Sequence, residues 1–221
     1  MGELALVCGA GGALGSALVA AFSERGDRVV AVDRSAHPRT DGARAVAVDL
    51  TRAEEVEALW DRLEAESELP RWLVNAVGGF HGGTVAESEP DTYGFMHDLN
   101  LATAWWSCRA AARRLAPGGA IVNVASRSAV SGGAGAAAYS VAKAGVVRLT
   151  EVVAEELRAR GVRANAILPS LIDTPANRRT MSDEAMHGAV PPAQIASVAA
   201  FLCSDAAVAI SGAAIPVYGG A

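Results

Sequence analysis

The chain has 221 residues, 51% of them hydrophobic and 19% charged, with a formal net charge of −5. That apolar content can build the core of one ordinary to large domain and excludes a disordered chain. The acidic balance, the lack of a basic cluster and an aromatic content of 5% argue against a nucleic-acid partner.

Apolar runs alternate with helical patterns from end to end. Strands are expected over 3–8, 28–32, 44–48, 71–75, 120–125, 163–168 and 214–217. Several are short, continuous and Val-rich, as strands covered on both faces should be. Helices are expected over 13–25, 52–66, 91–115, 139–160 and 192–204. Thr51 with Glu54 has the spacing of a capping box at the start of the second helix. The alternation implies an α/β fold, a doubly wound parallel sheet of seven strands in a single domain spanning 1–221. Ligands of such sheets bind outside the carboxyl ends of the strands.

The first strand runs into Cys8-Gly9-Ala10-Gly11-Gly12-Ala13-Leu14-Gly15. A strand, a glycine-rich turn and then a helix is the context of a pyrophosphate cradle, where backbone N–H groups meet the anion. Asp33 ends the second strand. A carboxylate there can accept bonds from ribose hydroxyls and repel a 2′-phosphate, which favours NAD(H). Arg34 beside it could pair with that phosphate, so NADP(H) stays open.

Tyr139 and Lys143 lie four residues apart on one expected helix face. Ser126 lies thirteen residues before the tyrosine, just after the fifth strand. A cation near a phenol lowers its pKa from about 10. The trio can therefore move a proton at neutral pH while the serine holds the substrate oxygen. A hydride must then reach or leave the adjacent carbon, which calls for a nicotinamide nearby.

Three cysteines, Cys8, Cys108 and Cys203, are far apart and lack metal-ligand spacing, so they read as reduced, buried thiols, and no metal site is expected. No cationic segment precedes the first apolar run, Leu6 occupies the Ser/Thr position of a myristoylation signal, and no apolar run is long enough to span a bilayer. A cytoplasmic protein without a membrane partner is expected.

These features, in this order, resemble the short-chain dehydrogenase/reductase family over essentially the whole chain. The matching residues are Gly9 to Gly15, Asp49-Leu50, Asn75-Ala76-Val77-Gly78, Asn100, Ser126, Tyr139-x-x-x-Lys143, Pro169, Thr174-Pro175 and the ending Gly212 to Gly220. The resemblance implies a Rossmann-type sheet with helices on both faces. It implies a ketone/secondary alcohol reaction with NAD(H), with Tyr139 as general acid/base, Lys143 lowering its pKa and bonding the nicotinamide ribose, and Ser126 positioning the substrate. Asn100 would hold a water chain toward Lys143. Asp49 would meet the adenine, Asn75 would stabilise the sheet beside the cofactor, and Thr174 with the backbone near Ile172 would meet the carboxamide. Gly9, Gly11, Gly12, Leu14, Gly15, Asp33, Arg34, Leu50, Ala76, Val77, Gly78 and Pro169 complete the cofactor set.

The chain departs from the family pattern at Cys8, Ala13, Ala76, Ser170 and Tyr218, none of them in the catalytic set. The segment 174–191 occupies the place of the family's substrate lid and is short, which implies an open pocket. Phe80, Arg127 and Ser128 are expected with Ser126 around the substrate. His81 reads as a solvent-facing loop residue, and Arg127 as a possible contact for a substrate carboxylate or phosphate. Trp105 and Trp106 read as core or subunit packing, and the resemblance implies a homotetramer, with a dimer second. A narrower likeness to the dihydropteridine reductase branch rests on 12–16, 77–83 and 168–178. It offers reduction of a pterin or C=N substrate as an alternative, which Ser126 disfavours. A non-catalytic NAD(H) sensor is the alternative from another class, disfavoured by the intact Ser–Tyr–Lys set.

Overall fold

The computed structural model describes residues 2–35 and 42–220. Seven parallel strands form one sheet in the order β3-β2-β1-β4-β5-β6-β7. They are β1 (Leu4–Cys8), β2 (Arg28–Asp33), β3 (Arg44–Ala47), β4 (Trp72–Asn75), β5 (Ala120–Val124), β6 (Arg163–Pro169) and β7 (Ala214–Val217). The helices are α1 (Ala13–Glu24), α2 (Ala53–Ala65), α3 (Pro90–His97), α4 (Thr103–Arg114), α5 (Ala137–Glu156), α6 (Pro175–Thr180) and α7 (Pro192–Leu202).

The period of two along each strand explains the two layers. Leu4, Leu6 and Cys8 of β1 face a core shared with Trp60 of α2, Cys108 of α4 and Val153 of α5. Ala5 and Val7 face the opposite core, with Phe22 of α1 and Ile195 of α7. All of β1, β4, β5 and β6 is buried, which is why these strands are mainly apolar, with Asn75, Asn123, Arg163 and Asn165 as buried polar exceptions. Trp60 and Phe22 are fully covered, one in each layer. Truncating either to alanine should cost about 3–5 kcal/mol.

Sequential order reverses between β1 and β4. β1 pairs β2 on one side and β4 on the other, and the connections that leave the carboxyl ends of β1 and β4 run to opposite faces of the sheet, which leaves a crevice there.

Three expectations need correction. The helix expected over 91–115 is α3 and α4 joined by a π-helical turn, Asp98–Ala102, centred on the buried Asn100. The lid contains an unforeseen helix, α6, capped by Thr174 and opened by Pro175. The capping box of Thr51 and Glu54 does not form. The Thr51 N–H and hydroxyl both donate to the Asp49 carboxylate, at 3.0 and 2.6 Å. Glu55, rather than Glu54, folds back to accept the Asp49 N–H at 2.8 Å. An acidic residue two positions earlier has captured the hydroxyl that would otherwise cap the helix.

Candidate active site

The glycine turn is dictated by backbone proximity. Gly9 adopts φ +85°, and a Cβ there would lie 2.9 Å from the Ala76 backbone. At Gly15 a Cβ would sit 2.0 Å from the Gly9 carbonyl oxygen, so the helix can start against the turn only if residue 15 is glycine. Gly12 meets nothing closer than 3.6 Å. The Asp33 carboxylate closes this end of the crevice, accepting the Gly11 N–H at 2.9 Å and the Arg34 N–H on its other oxygen at 2.8 Å. A carboxylate has about four acceptor positions, so two backbone bonds leave capacity on each oxygen.

Two connected grooves occupy the crevice. The first, about 410 Å³, is lined by Gly9, Gly12, Asp33, Arg34, Asp49, Leu50, Ala76, Val77 and Gly78, together with Asp98 and Leu99. The second, about 830 Å³, shares Gly9, Gly12, Ala76, Val77 and Gly78. It adds Leu14, Gly15, Phe80, Ser126, Arg127, Ser128, Tyr139, Lys143, Pro169, Ile172 and Thr174. Gly11 and Asn75 are not on either wall. Gly11 instead holds Asp33. Asn75 is buried between strands, donating to Asn123 Oδ1 at 2.8 Å and to Cys108 Sγ at 3.6 Å. It fastens β4 to β5 beneath the groove, as the sheet-stabilising expectation holds, without lining it. His81 is exposed and off both walls.

The α5 helix brings Tyr139 and Lys143 to the second groove, and the turn after β5 brings Ser126. The Ser126 Oγ accepts from the Ser128 hydroxyl at 3.0 Å and from its N–H at 3.3 Å. Lys143 is buried, and its ammonium donates to the Val124 carbonyl at 2.9 Å. Loss of hydration pulls its pKa down to about 8. For Tyr139 the expected lowering is reversed. Burial pushes the phenol up, and a hydrogen bond with Ser126 offsets this only in part. The Lys143 nitrogen stands 6.0 Å from the ring centre and is turned toward Val124, which explains why its charge does not win. Phe80 packs edge-on against Tyr139, with ring centres 5.2 Å apart.

Asn100 braces the floor of the site. Its amide donates to the Gly79 and Met96 carbonyls, both at 3.0 Å, and its Oδ1 accepts the Gly79 N–H at 3.1 Å. A Cβ on Gly78 would lie 2.9 Å from Asn100 Oδ1 and 3.0 Å from Lys143 Nζ, so a glycine there lets both groups approach one point.

The lid adds Met181 and His187 to the groove wall, together with Asn177, Thr180 and Ala185, which the sequence reading did not single out. Thr174 followed by Pro175 is an N-cap and first-turn signal that marks this short helix. The Thr174 hydroxyl accepts the Asn177 N–H at 3.1 Å. Asp98 and Leu99 of the π turn carry no comparable signal. The three cysteines are buried and free, and burial raises each thiol to about 12, so none is a nucleophile at neutral pH. Among the described residues no group of three His, Cys, Asp or Glu side chains is placed to hold a metal. No helix among the described residues is long and apolar enough to cross a membrane.

Comparison with known proteins agrees with this geometry. A family model described as Enoyl-(Acyl carrier protein) reductase matches residues 9–221. The chain is 33% identical over 244 residues to a D-threitol dehydrogenase of Mycolicibacterium smegmatis, covering 99% of this chain and 92% of that one. A solved short-chain dehydrogenase/reductase structure from Burkholderia xenovorans superposes with a TM-score of 0.91 at 31% identity, over 100% of this chain and 96% of the other. A blue fluorescent protein from a metagenomic library, solved in complex with NADPH, superposes with a TM-score of 0.90 at 26% identity, over 99% and 97%. With a seven-stranded doubly wound sheet, a glycine turn at its switch point and a serine, tyrosine and lysine at one crevice, the chain belongs to the short-chain dehydrogenase/reductase family of oxidoreductases.

Proposed function

We propose that the protein interconverts a secondary alcohol and a ketone by hydride exchange with NAD(H). The observation that carries this reading is the convergence of Ser126, Tyr139 and Lys143 on the wall of a groove that continues into the glycine turn. The residues present fit a dinucleotide. The backbone at Gly9 and Gly15 leaves no room for a side chain, the α1 N-terminus faces the turn, and Asp33 stands at the far end. Gly9, Gly12 and Gly15 would hold the pyrophosphate, Asp33 the adenosine ribose, Asp49 and Leu50 the adenine. Lys143 would hold the nicotinamide ribose, with Thr174 and the Ile172 backbone at the carboxamide. A nicotinamide bound there supplies or accepts the hydride.

The chain's own residues handle the proton and the oxygen. Ser126 donates a hydrogen bond to the substrate oxygen and fixes it beside Tyr139. In reduction, the Tyr139 phenol gives its proton to the oxygen as the neighbouring carbon gains hydride. In oxidation it takes that proton back. A phenol held above its usual range by burial stays protonated at neutral pH and so carries the proton that reduction needs, whereas oxidation needs the phenolate and gains from rising pH. Asn100 keeps the Gly78–Gly79 backbone and the Lys143 ammonium in register.

Tyr139→Phe removes only the proton-bearing oxygen. Turnover should fall about 10³-fold, within the range of general acid–base catalysis, while NADH binding by fluorescence titration stays close to wild type. Full turnover in that variant would sink the mechanism. In the same assay Ser126→Ala separates carbonyl chemistry, which should lose activity, from reduction of a C=N substrate, which should survive.

Asp33 supports NAD(H) over NADP(H), because a second negative charge would be forced against its carboxylate. Parallel titrations with NADH and NADPH test this, and tighter NADPH binding would give the decision to Arg34. A homotetramer fits the half-exposed Trp105 on α4 and the exposed Val141 and Val152 on α5. Sedimentation of the purified protein reads the state directly.

A further inference from the structure

The two grooves differ in charge, and the difference points to the substrate. Asp33, Asp49 and Asp98 line the first. Among the described residues no Asp or Glu lines the second, whereas Arg127 and His187 do, in a protein with net charge −5. Arg127 follows Ser126 directly in the chain, so its head group departs from the point where the substrate oxygen is held.

Arg127 is also held in an uncommon way. Arg25, Arg44, Arg71, Arg114 and Arg178 each grip a carboxylate. Arg127 has no carboxylate partner among the described residues; its guanidinium carbon lies 5.2 Å over the ring centre of Tyr218. Tyr218 is itself fixed: its carbonyl accepts the Ser170 hydroxyl at 2.9 Å, and its side chain packs against the core. Stacking occupies one face of a guanidinium and leaves the N–H edge free. That edge offers two parallel donors, the geometry that matches a carboxylate or phosphate.

Resting on the alcohol–ketone reading, we propose that Arg127 is the specificity-determining residue for an anionic substrate, a hydroxy or keto compound bearing a carboxylate or phosphate a few bonds from the reacting carbon. Tyr218 and Ser170 are positioning residues that present the guanidinium edge to the groove. The lack of carboxylates on the wall removes the repulsion such a substrate would otherwise meet.

The test compares matched pairs: acetoacetate beside its methyl ester, and dihydroxyacetone phosphate beside dihydroxyacetone. The anionic member of at least one pair should show kcat/KM at least tenfold higher, and the pair that responds separates carboxylate from phosphate. In Arg127→Met this ratio should collapse toward one, through KM rather than kcat, and Arg127→Lys should restore part of it. A neutral member turned over as well as its anionic partner in every active pair, or a ratio unchanged in Arg127→Met, overturns the proposal. If no pair turns over, the alcohol–ketone reading is in question and calorimetry decides the anion site separately. NADH-saturated protein titrated with malonate and with inorganic phosphate should bind one of them saturably, at least tenfold more weakly in Arg127→Met. Absence of saturable binding to both overturns it.

Discussion

The two halves of the crevice are built on different principles. The glycine-turn half is shaped by backbone: what matters at Gly9 and Gly15 is the side chain that is missing, and the carboxylate against the turn, Asp33, is held by two N–H groups. The Ser126–Tyr139–Lys143 half is shaped by side chains under strong desolvation, with a buried ammonium and a raised phenol. The first half tolerates no added volume at Gly9 or Gly15, whereas the second is vulnerable in its charges. The same sheet edge thus combines a rigid anion cradle with an electrostatically costly reaction chamber.

The largest effect expected from breaking this contrast is at Lys143. Lys143→Met should cut turnover about 10³-fold and yet stabilise the fold. At pH 7 the folded protein buries an ammonium that the unfolded chain hydrates freely. A fall in pKa from 10.5 to about 8 corresponds to about 3 kcal/mol at 1.36 kcal/mol per unit, reduced by about 1 kcal/mol for the lost bond to Val124. Between about pH 8 and 10.5 the unfolded chain still holds the proton that the folded state has released, so wild-type stability rises with pH through that window. The advantage of the variant should shrink over the same interval in denaturant titrations. The raised phenol of Tyr139 acts in the opposite sense above pH 10, where the unfolded chain ionises first and wild-type stability falls. An advantage independent of pH would mean that Lys143 keeps an ordinary lysine pKa in the folded protein.

Gly15→Ala should be next in size. The added carbon falls 2.0 Å from the Gly9 oxygen, backbone against backbone, so α1 must move away from the turn. NADH affinity should drop at least about 30-fold, or about 2 kcal/mol, with a lower melting temperature, because the strain is structural. Asp33→Ala is smaller and more selective. It should leave folding alone and shift the NADH-to-NADPH affinity ratio about tenfold toward NADPH, the scale of one charge interaction. Gly12→Ala should be smallest, within about twofold in affinity, since its nearest neighbour is 3.6 Å away. A severe Gly12→Ala defect would mean that cofactor contact, rather than backbone packing, governs the turn.

Much of this was legible in the sequence where one local constraint decides the outcome. The strand–glycine–helix junction, Asp33 at the end of β2 and the Tyr139–Lys143 spacing each follow from short-range geometry, and each stands where it was expected. What escaped depended on the surroundings. The direction of the Tyr139 shift is set by burial of the phenol, while the ammonium expected to oppose it turns instead to the Val124 carbonyl, nineteen residues away. The capping box at Thr51 lost to an Asp49 carboxylate that competes for the same hydroxyl. The lid helix α6 is only six residues long, too short for periodicity to reveal, although its Thr-Pro start is a recognised signal.

The π turn at Asp98–Ala102 has a consequence for how this chain tolerates change in length. It holds one residue more than an α-helix would place between α3 and α4. Deleting a single residue there would yield a longer, more regular helix. Each residue accounts for about 100° of rotation, so the deletion would leave α3 and α4 in line and re-aim the side chains of the turn itself by up to that angle. The Asn100 amide would leave Gly79, and Asp98 and Leu99 would leave the groove wall. A shorter, better-formed helix would thus disable the site, so the irregularity is the feature that a length variant of this chain has to keep.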